Sequence, residues 1–389
     1  MNEAVPAPAS LRHADGIDAL RGIAALLVVL FHMNQTGFGV VSPVWTQAGL
    51  LGVNLFFTLS GFLIAHCVMA PAEFGSKRYL ESRARRILPN YFIALFLVIT
   101  VVDVRSLIQV PVSQAAGDLA THALLIHGWF PSYAVSIMGP FWTLSHEWWF
   151  YLLMPAAAPI LRSRYWWLVP LGMTAVALTA RLGMLEDWWV LPCGLTHPLA
   201  LWDQFAAGIL AAGFTRRMGK GEPARWLRPL LLTAGTALVV WSIWRICQMG
   251  LTIDPAKFKG GAFGGKVMEK FYDRRSNVLW FSPLLAAGVA MLVSGLWMAR
   301  GRRWRFPVLP WMGQVSYSTY LYHMPVVLCF GRAFKNLPAD SFWQQRWAAF
   351  LLVLGMVYAF SAFAWKFFEQ PWMRTRRPAA STSTSTPPA

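Results

Sequence analysis

The feature that most constrains this chain is a succession of apolar runs, each close to the roughly 20 residues a helix needs to cross a bilayer. Ten can be read: Ile17–Met33, Leu50–Met69, Pro89–Val104, Phe141–Leu161, Trp166–Ala180, Pro198–Phe214, Pro229–Ile246, Val278–Met298, Val315–Phe330 and Trp347–Phe367. Together they take about half the chain, which leaves no room for a large soluble domain. Composition agrees. Only 13% of the residues are charged, against about 25% in ordinary soluble proteins, and the mean hydropathy is +0.45. The expected fold is an all-α integral membrane protein with about ten transmembrane helices.

Charge then sets orientation. The 34 Lys+Arg against 17 Asp+Glu give a net charge of +17, which in a soluble protein would suggest nucleic acid. Here the basic residues sit in the loops between apolar runs, so they act on topology instead. With the N-terminus in the cytoplasm, inside segments carry Arg12, Lys77, Arg78, Arg83, Arg85, Arg86, Arg162, Arg164, Arg216, Arg217 and the cluster Arg300–Arg305. The first three outside loops offer only Arg105 and Arg181. Both termini are therefore expected in the cytoplasm, and no nucleic-acid partner is expected. The loop Gly250–Asn277 runs against the pattern, with Lys257, Lys259, Lys266, Lys270, Arg274 and Arg275 on the outside.

The chain divides into a cytoplasmic tail (1–16), a transmembrane domain (17–371) and a basic, then Ser/Thr/Pro-rich tail (372–389) expected to be disordered. The run Leu119–Phe130 is too short to span and reads as re-entrant or interfacial. The first apolar run holds Asp18 and Arg21 and lacks a cleavage site, so it reads as a retained span. Cys67, Cys193, Cys247 and Cys329 are scattered and suggest neither a disulfide framework nor a zinc site.

Ionisable residues inside spans are costly, so each is a candidate functional group. Arg21 and His32 are eleven residues apart, about 20° from three full turns, so they face one stripe about 16 Å apart along the axis. The structural alternative pairs Arg21 with Asp18 as an i,i+3 ion pair and leaves His32 as a hydrogen-bonded interior residue. Arg83 and Arg86 can reach one anionic group through bidentate guanidinium contacts, although a basic cytoplasmic edge is also what topology requires. Glu147 and Tyr151 are i,i+4 neighbours in the fourth span; the carboxylate can orient an imidazole or pair with an arginine. Ser316, Tyr320 and His323 form a polar stripe in the ninth span, suited to chemistry or to interhelical hydrogen bonding. His13 and Asp18 form an H-x4-D that chance explains better than catalysis. The run Gly260–Gly265 lacks the strand–turn–helix context of a dinucleotide fingerprint.

Taken together these segments resemble the acyltransferase-3 family of integral membrane acyltransferases, over about Ile17 to Pro371. Arg21 to His32 is similar to that family's opening R-x10-H, and Gly52–Phe62 to its second-span signature. Arg83–Arg86 matches its R-x-x-R, Trp142–Tyr151 its W-S/T-L-S-x-E segment, and Ser316–His323 its S-Y-S-x-Y-L-x-H. Phe368-Glu369-Gln370-Pro371 resembles its closing E-x-P. Asn54 stands where an acidic residue is common, and Trp148 where a second Glu often follows Glu147.

The resemblance implies a bacterial cytoplasmic-membrane O-acyltransferase. Its donor would be acyl-CoA, usually acetyl-CoA, and its acceptor a hydroxyl of a cell-surface or exported glycan, a glycolipid or another hydroxyl compound. Without a fused SGNH hydrolase-like domain, transfer is expected to finish within the membrane domain. Arg21, Arg83 and Arg86 would bind the CoA, and His32 would act as general base. Glu147 would orient that imidazole, with His323 or Tyr320 steadying the oxyanion or acceptor. Ser316, Tyr320 and Tyr151 would line the substrate site. An acyl-His32 intermediate is an alternative route. A proton-coupled transporter using the same intramembrane residues is the alternative function, though the sequence lacks repeated halves.

Overall fold

The computed structural model describes residues 14–40, 47–70, 73–102, 109–130, 132–185, 197–218, 224–251, 281–300, 306–335 and 345–373. The basic loop Gly250–Asn277 falls almost entirely outside them, as do His13, Cys193, the Gly260–Gly265 run and the C-terminal tail. Among the described residues the chain is helical, with no strand.

The principal helices are α1 (Asp15–Gln35), α2 (Leu51–Val68), α3 (Ser76–Leu97), α4 (Val112–Ala123), α5 (Trp142–Leu161) and α6 (Leu168–Leu185). They continue with α7 (Trp202–Met218), α8 (Leu227–Leu251), α9 (Ser282–Trp297), α10 (Val308–Gln314), α11 (Ser316–Lys335) and α12 (Arg346–Ala364). A wide π-type turn extends α3 over Val98–Val102, and another follows α12 over Trp365–Glu369. Among the described residues five segments are long and apolar enough to cross a membrane: α1, α2, α3 with its extension, most of α8, and α12 with its extension. Helices α5, α7 and α11 align with expected spans but carry the buried polar residues described below, which lowers their hydropathy.

Two expectations need correction. The third span does not start at Pro89: α3 begins at Ser76 and runs through that proline. Pro89 withdraws one N–H and frees the carbonyl four residues back. That carbonyl belongs to Arg85, which is exposed. Arg83 and Arg86 therefore belong to the helix body and project at fixed positions. Nor is Arg181 a loop residue. It lies in α6 at 1% exposure, and its Nη2 donates to Asp203 Oδ2 of α7 at 2.7 Å. Desolvating a guanidinium is tolerable only with such a partner.

The segment read as re-entrant is a helix followed by a tight turn. Helix α4 ends where Leu125 takes φ +54°, and Ile126 N–H closes the turn on Thr121 O at 2.9 Å. A leucine is disfavoured in this left-handed conformation. Here its side chain is 2% exposed in the core, and its carbonyl accepts from Ser145 Oγ of α5 at 2.8 Å. Packing therefore holds what backbone preference resists.

Helix directions can be read from contacts. Gly313, just before α11, lies against Asp18, and His323 lies against His32, so α1 and α11 run parallel. A Cβ at Gly313 would sit 1.8 Å from Asp18 O, so only glycine permits this approach. Tyr317 Oη donates to Ile87 O at 2.9 Å and Tyr322 Oη to Asn90 Oδ1 at 2.8 Å, making α3 and α11 parallel too. Phe57 stacks on Phe205 and His66 meets Thr215, so α2 and α7 are parallel. Gly235 faces Leu292 while Gly295 faces Leu232, so α8 and α9 are antiparallel.

Candidate functional site

Five helices converge on one narrow cavity of about 90 Å³. Its walls are Arg21 of α1, Phe56 and Ser60 of α2, Arg83 and Arg86 of α3, Thr143, Glu147 and Tyr151 of α5, and Ser316 and Tyr320 at the start of α11. Five of these segments thus bring together most of the residues the sequence singled out. They converge because α3 and α11 run side by side, and α5 enters across them through the bond between Thr143 Oγ1 and Tyr320 Oη at 2.6 Å.

Three arginines and one carboxylate line the cavity. Arg83 lies 6.0 Å from the ring centres of both Tyr79 and Tyr151, where a guanidinium is held over aromatic faces. Arg21 keeps its Asp18 contact at 3.8 Å while also lining the cavity, so the ion-pair reading and the site reading describe the same residue. Glu147 Oε1 accepts from Ser60 Oγ at 2.6 Å and from Tyr151 Oη. The structure thus gives Glu147 partners on α2 and within its own helix, and these bonds do not reach His32.

The imidazole at residue 32 meets another imidazole instead. His323 Nε2 lies 3.2 Å from His32 Nδ1. His323 Nδ1 is 2.8 Å from Tyr320 O and 3.1 Å from Thr319 O. Carbonyl oxygens only accept, so in the neutral ring Nδ1 carries the hydrogen and Nε2 is left as an acceptor. His32 Nδ1 also faces a carbonyl, Val28 O at 2.9 Å, so it too carries its hydrogen and donates to both neighbours. This network assigns the free lone pair to His32 Nε2. His323 is fully buried, whereas His32 is only partly so. The pair sits one layer beyond the cavity wall: the His323 ring is 5.9 Å from Tyr320, itself 5.9 Å from Phe56.

Tyr320 is less free than its position suggests. Its hydroxyl donates to Pro140 O at 2.7 Å while accepting from Thr143, so its ring is held at the boundary between cavity and histidines. Ser316 is fully buried, and its Oγ has no hydrogen-bond partner among the described residues.

A second polar layer is built on Glu369, which the sequence names in its closing motif without assigning it a role. Glu369, 3% exposed after α12, accepts from Ser318 Oγ at 2.7 Å, and Asn90 Nδ2 donates to that same Oγ at 3.2 Å. The carboxylate lies within electrostatic reach of Arg86 and Arg21. The signal was available: an acidic residue inside an apolar stretch is costly unless it is paired. Ser60 offered no such signal. Only the fold shows that it faces Glu147. Among the described residues no group of three or more His, Cys, Asp or Glu could hold a metal ion.

Residues 14–366 match the family model described as an acyltransferase domain. The chain is 24% identical over 344 residues to the peptidoglycan O-acetyltransferase OatA of Listeria monocytogenes, covering 82% of this chain and 50% of that protein. It is 26% identical over 350 residues to the putative peptidoglycan O-acetyltransferase YrhL of Bacillus subtilis, covering 82% and 49%. It is also 26% identical over 333 residues to the putative membrane-bound transacylase BcsY of Komagataeibacter xylinus, covering 80% and 72%. The chain thus spans about half the length of the first two of these relatives. No solved structure matches it.

Proposed function

Because the chain belongs to the acyltransferase domain family, we propose that it transfers an acyl group, acetyl from acetyl-CoA, to a hydroxyl of a cell-surface or exported glycan. The observation that carries this reading is the arrangement of a narrow cavity lined by three arginines and, beyond its wall, an imidazole with an open lone pair. Arg83, Arg86 and Arg21 would hold the anionic end of acyl-CoA, since guanidinium groups match phosphate geometry. The thioester would be presented toward His32. His32 Nε2 takes the acceptor's hydroxyl proton as its oxygen attacks the thioester carbonyl. The C–O bond forms, the C–S bond breaks, and the departing CoA thiolate recovers the proton. Through this step His32 Nδ1–H stays on Val28 O and His323 Nε2, so His323 orients the base and spreads the imidazolium charge. Glu147 acts as a positioning group that ties α2 to α5 through Ser60, not as the partner of the base.

The expected membrane arrangement, about ten spans with both termini cytoplasmic, is part of this proposal. Helix directions support it: α1, α3 and α11, taken as the first, third and ninth spans, run parallel, as odd-numbered spans must. The acceptor would then approach the partly exposed edge of His32, near the outer end of α1, while CoA stays on the arginine side. A bacterial cytoplasmic membrane would supply both compartments.

The test uses purified protein in liposomes with radiolabelled acetyl-CoA and a mixed pool of bacterial surface glycans. Label should move to base-labile esters on the glycan. If the protein neither binds CoA nor consumes it, the reading falls.

A further inference from the structure

A second cavity, of about 540 Å³, opens at the ends of α2, α5 and α7, and shares no lining residue with the first. Arg162, Arg216 and Arg217 line it, beside Trp166 and Gly213. Two of the arginines are anchored. Arg162 Nη1 donates to Val68 O at 2.9 Å and Ala70 O at 2.8 Å, and Arg216 Nη1 donates to His66 O at 3.3 Å. These bonds satisfy carbonyls at the C-terminal end of α2, which explains one edge of each guanidinium. The remaining N–H groups are not spent on carboxylates, because among the described residues none of the three arginines forms an ion pair. Arg217 rests on the Trp166 ring at 4.5 Å. The indole fits there because residue 213 has no side chain: a Cβ would lie 2.2 Å from the ring.

Three cations around one cavity repel each other. Burial and the neighbouring Arg162 both push the Arg216 guanidinium below its ordinary pKa, the situation that an anion between them relieves. The flank of the cavity is apolar and open. Leu210 and Phe214 of α7 are 44% and 39% exposed, and Trp167 and Leu168 are 46% and 43% exposed. Exposed tryptophan beside arginine marks the level of lipid headgroups, and basic pockets between helices on the cytoplasmic side suit anionic headgroups.

We propose that this cavity binds the headgroup phosphate of an anionic phospholipid, with its acyl chains lying along the exposed face of α6 and α7. Arg216 and Arg217 make the charge-assisted contacts, and Arg162 fixes the cradle to the end of α2. Phosphatidylcholine is disfavoured, because its quaternary ammonium would be brought against the arginines.

Native mass spectrometry of the delipidated full chain reads this directly, with phosphatidylglycerol, phosphatidylcholine, inorganic phosphate and CoA as separate probes. Phosphatidylglycerol should be retained about tenfold more strongly than phosphatidylcholine, the size of one charge-assisted contact. Arg217→Gln should erase most of that preference. It breaks no backbone bond, so it keeps the test valid should Arg162→Gln unfold the end of α2. Equal retention of both lipids, or a preference unchanged in both Arg216→Gln and Arg217→Gln, overturns the proposal. So does inorganic phosphate or CoA binding that depends on Arg217 while phosphatidylglycerol does not. No acyl transfer is measured, so failure here leaves the proposed function standing.

Discussion

Two parts of this membrane protein are built on opposite principles. Helices α8 and α9 meet through small residues: a Cβ at Gly288 would lie 2.8 Å from Leu238 Cβ, and one at Gly235 would lie 2.8 Å from Gly288 O. Without a hydrophobic drive between apolar helices in lipid, such close backbone contact supplies the association. Helices α1, α3, α5 and α11 instead meet through hydrogen bonds between buried polar groups, Asn90 to Ser318, Thr143 to Tyr320, His323 to His32. The first arrangement needs only shape. The second is expensive to desolvate, and holds only because nearly every member has a partner. The proposed chemistry is assigned to the polar half, where Arg21, Glu147 and His32 lie.

Substitutions should separate the two halves. The largest effect is expected at His32: His32→Ala should lower acyl transfer by about 10²–10⁴-fold, the range of a general base, with expression and membrane insertion unchanged. Steady-state transfer in liposomes measures it, and full activity removes His32 from the mechanism. Next comes His323→Ala, expected to lower kcat by about tenfold to a hundredfold with little change in KM, as loss of an outer partner does. His323→Gln, whose amide oxygen can still accept from His32 Nδ1, should recover part of that loss. Arg86→Ala should act mainly on donor affinity, by about tenfold for one charge-assisted contact. Calorimetric titration with CoA checks this, and unchanged affinity in both Arg83→Ala and Arg86→Ala would return the pair to topology. The smallest catalytic effect belongs to the apolar pair. Gly288→Leu should cost about 1–3 kcal/mol of stability by overpacking, seen as a lower Tm, while specific activity of the folded fraction is retained.

The same contrast explains what the sequence revealed. Apolar length located α1, α2 and α8 to within a few residues, because hydrocarbon tolerates little else at those positions. The costly ionisable residues Arg21, His32, Glu147 and His323 stood out for the same reason. Their pairing did not. Arg21 and His32 share a helix and a spacing that can be calculated, whereas His32 and His323 are 291 residues apart and meet only because α1 and α11 run parallel. Glu147 was expected to orient the imidazole because it is the carboxylate of its span, yet its bonds go to Ser60 and Tyr151. Arg181 was taken for a loop residue because apolar counting ended at Ala180. Its partner Asp203 lies in another helix, so no local pattern could reveal the pair.

The central claim is that His32 and His323 act as one unit, and a double-mutant cycle on transfer rate tests it most directly. His32→Ala, His323→Ala and the double variant would be compared with wild type in liposomes, using radiolabelled acetyl-CoA and one glycan acceptor. If His323 works through His32, the double variant should be no slower than His32→Ala alone, because the partner has nothing left to orient. If the two losses multiply, the histidines act independently, and the assignment of the open lone pair to His32 Nε2 loses its catalytic meaning.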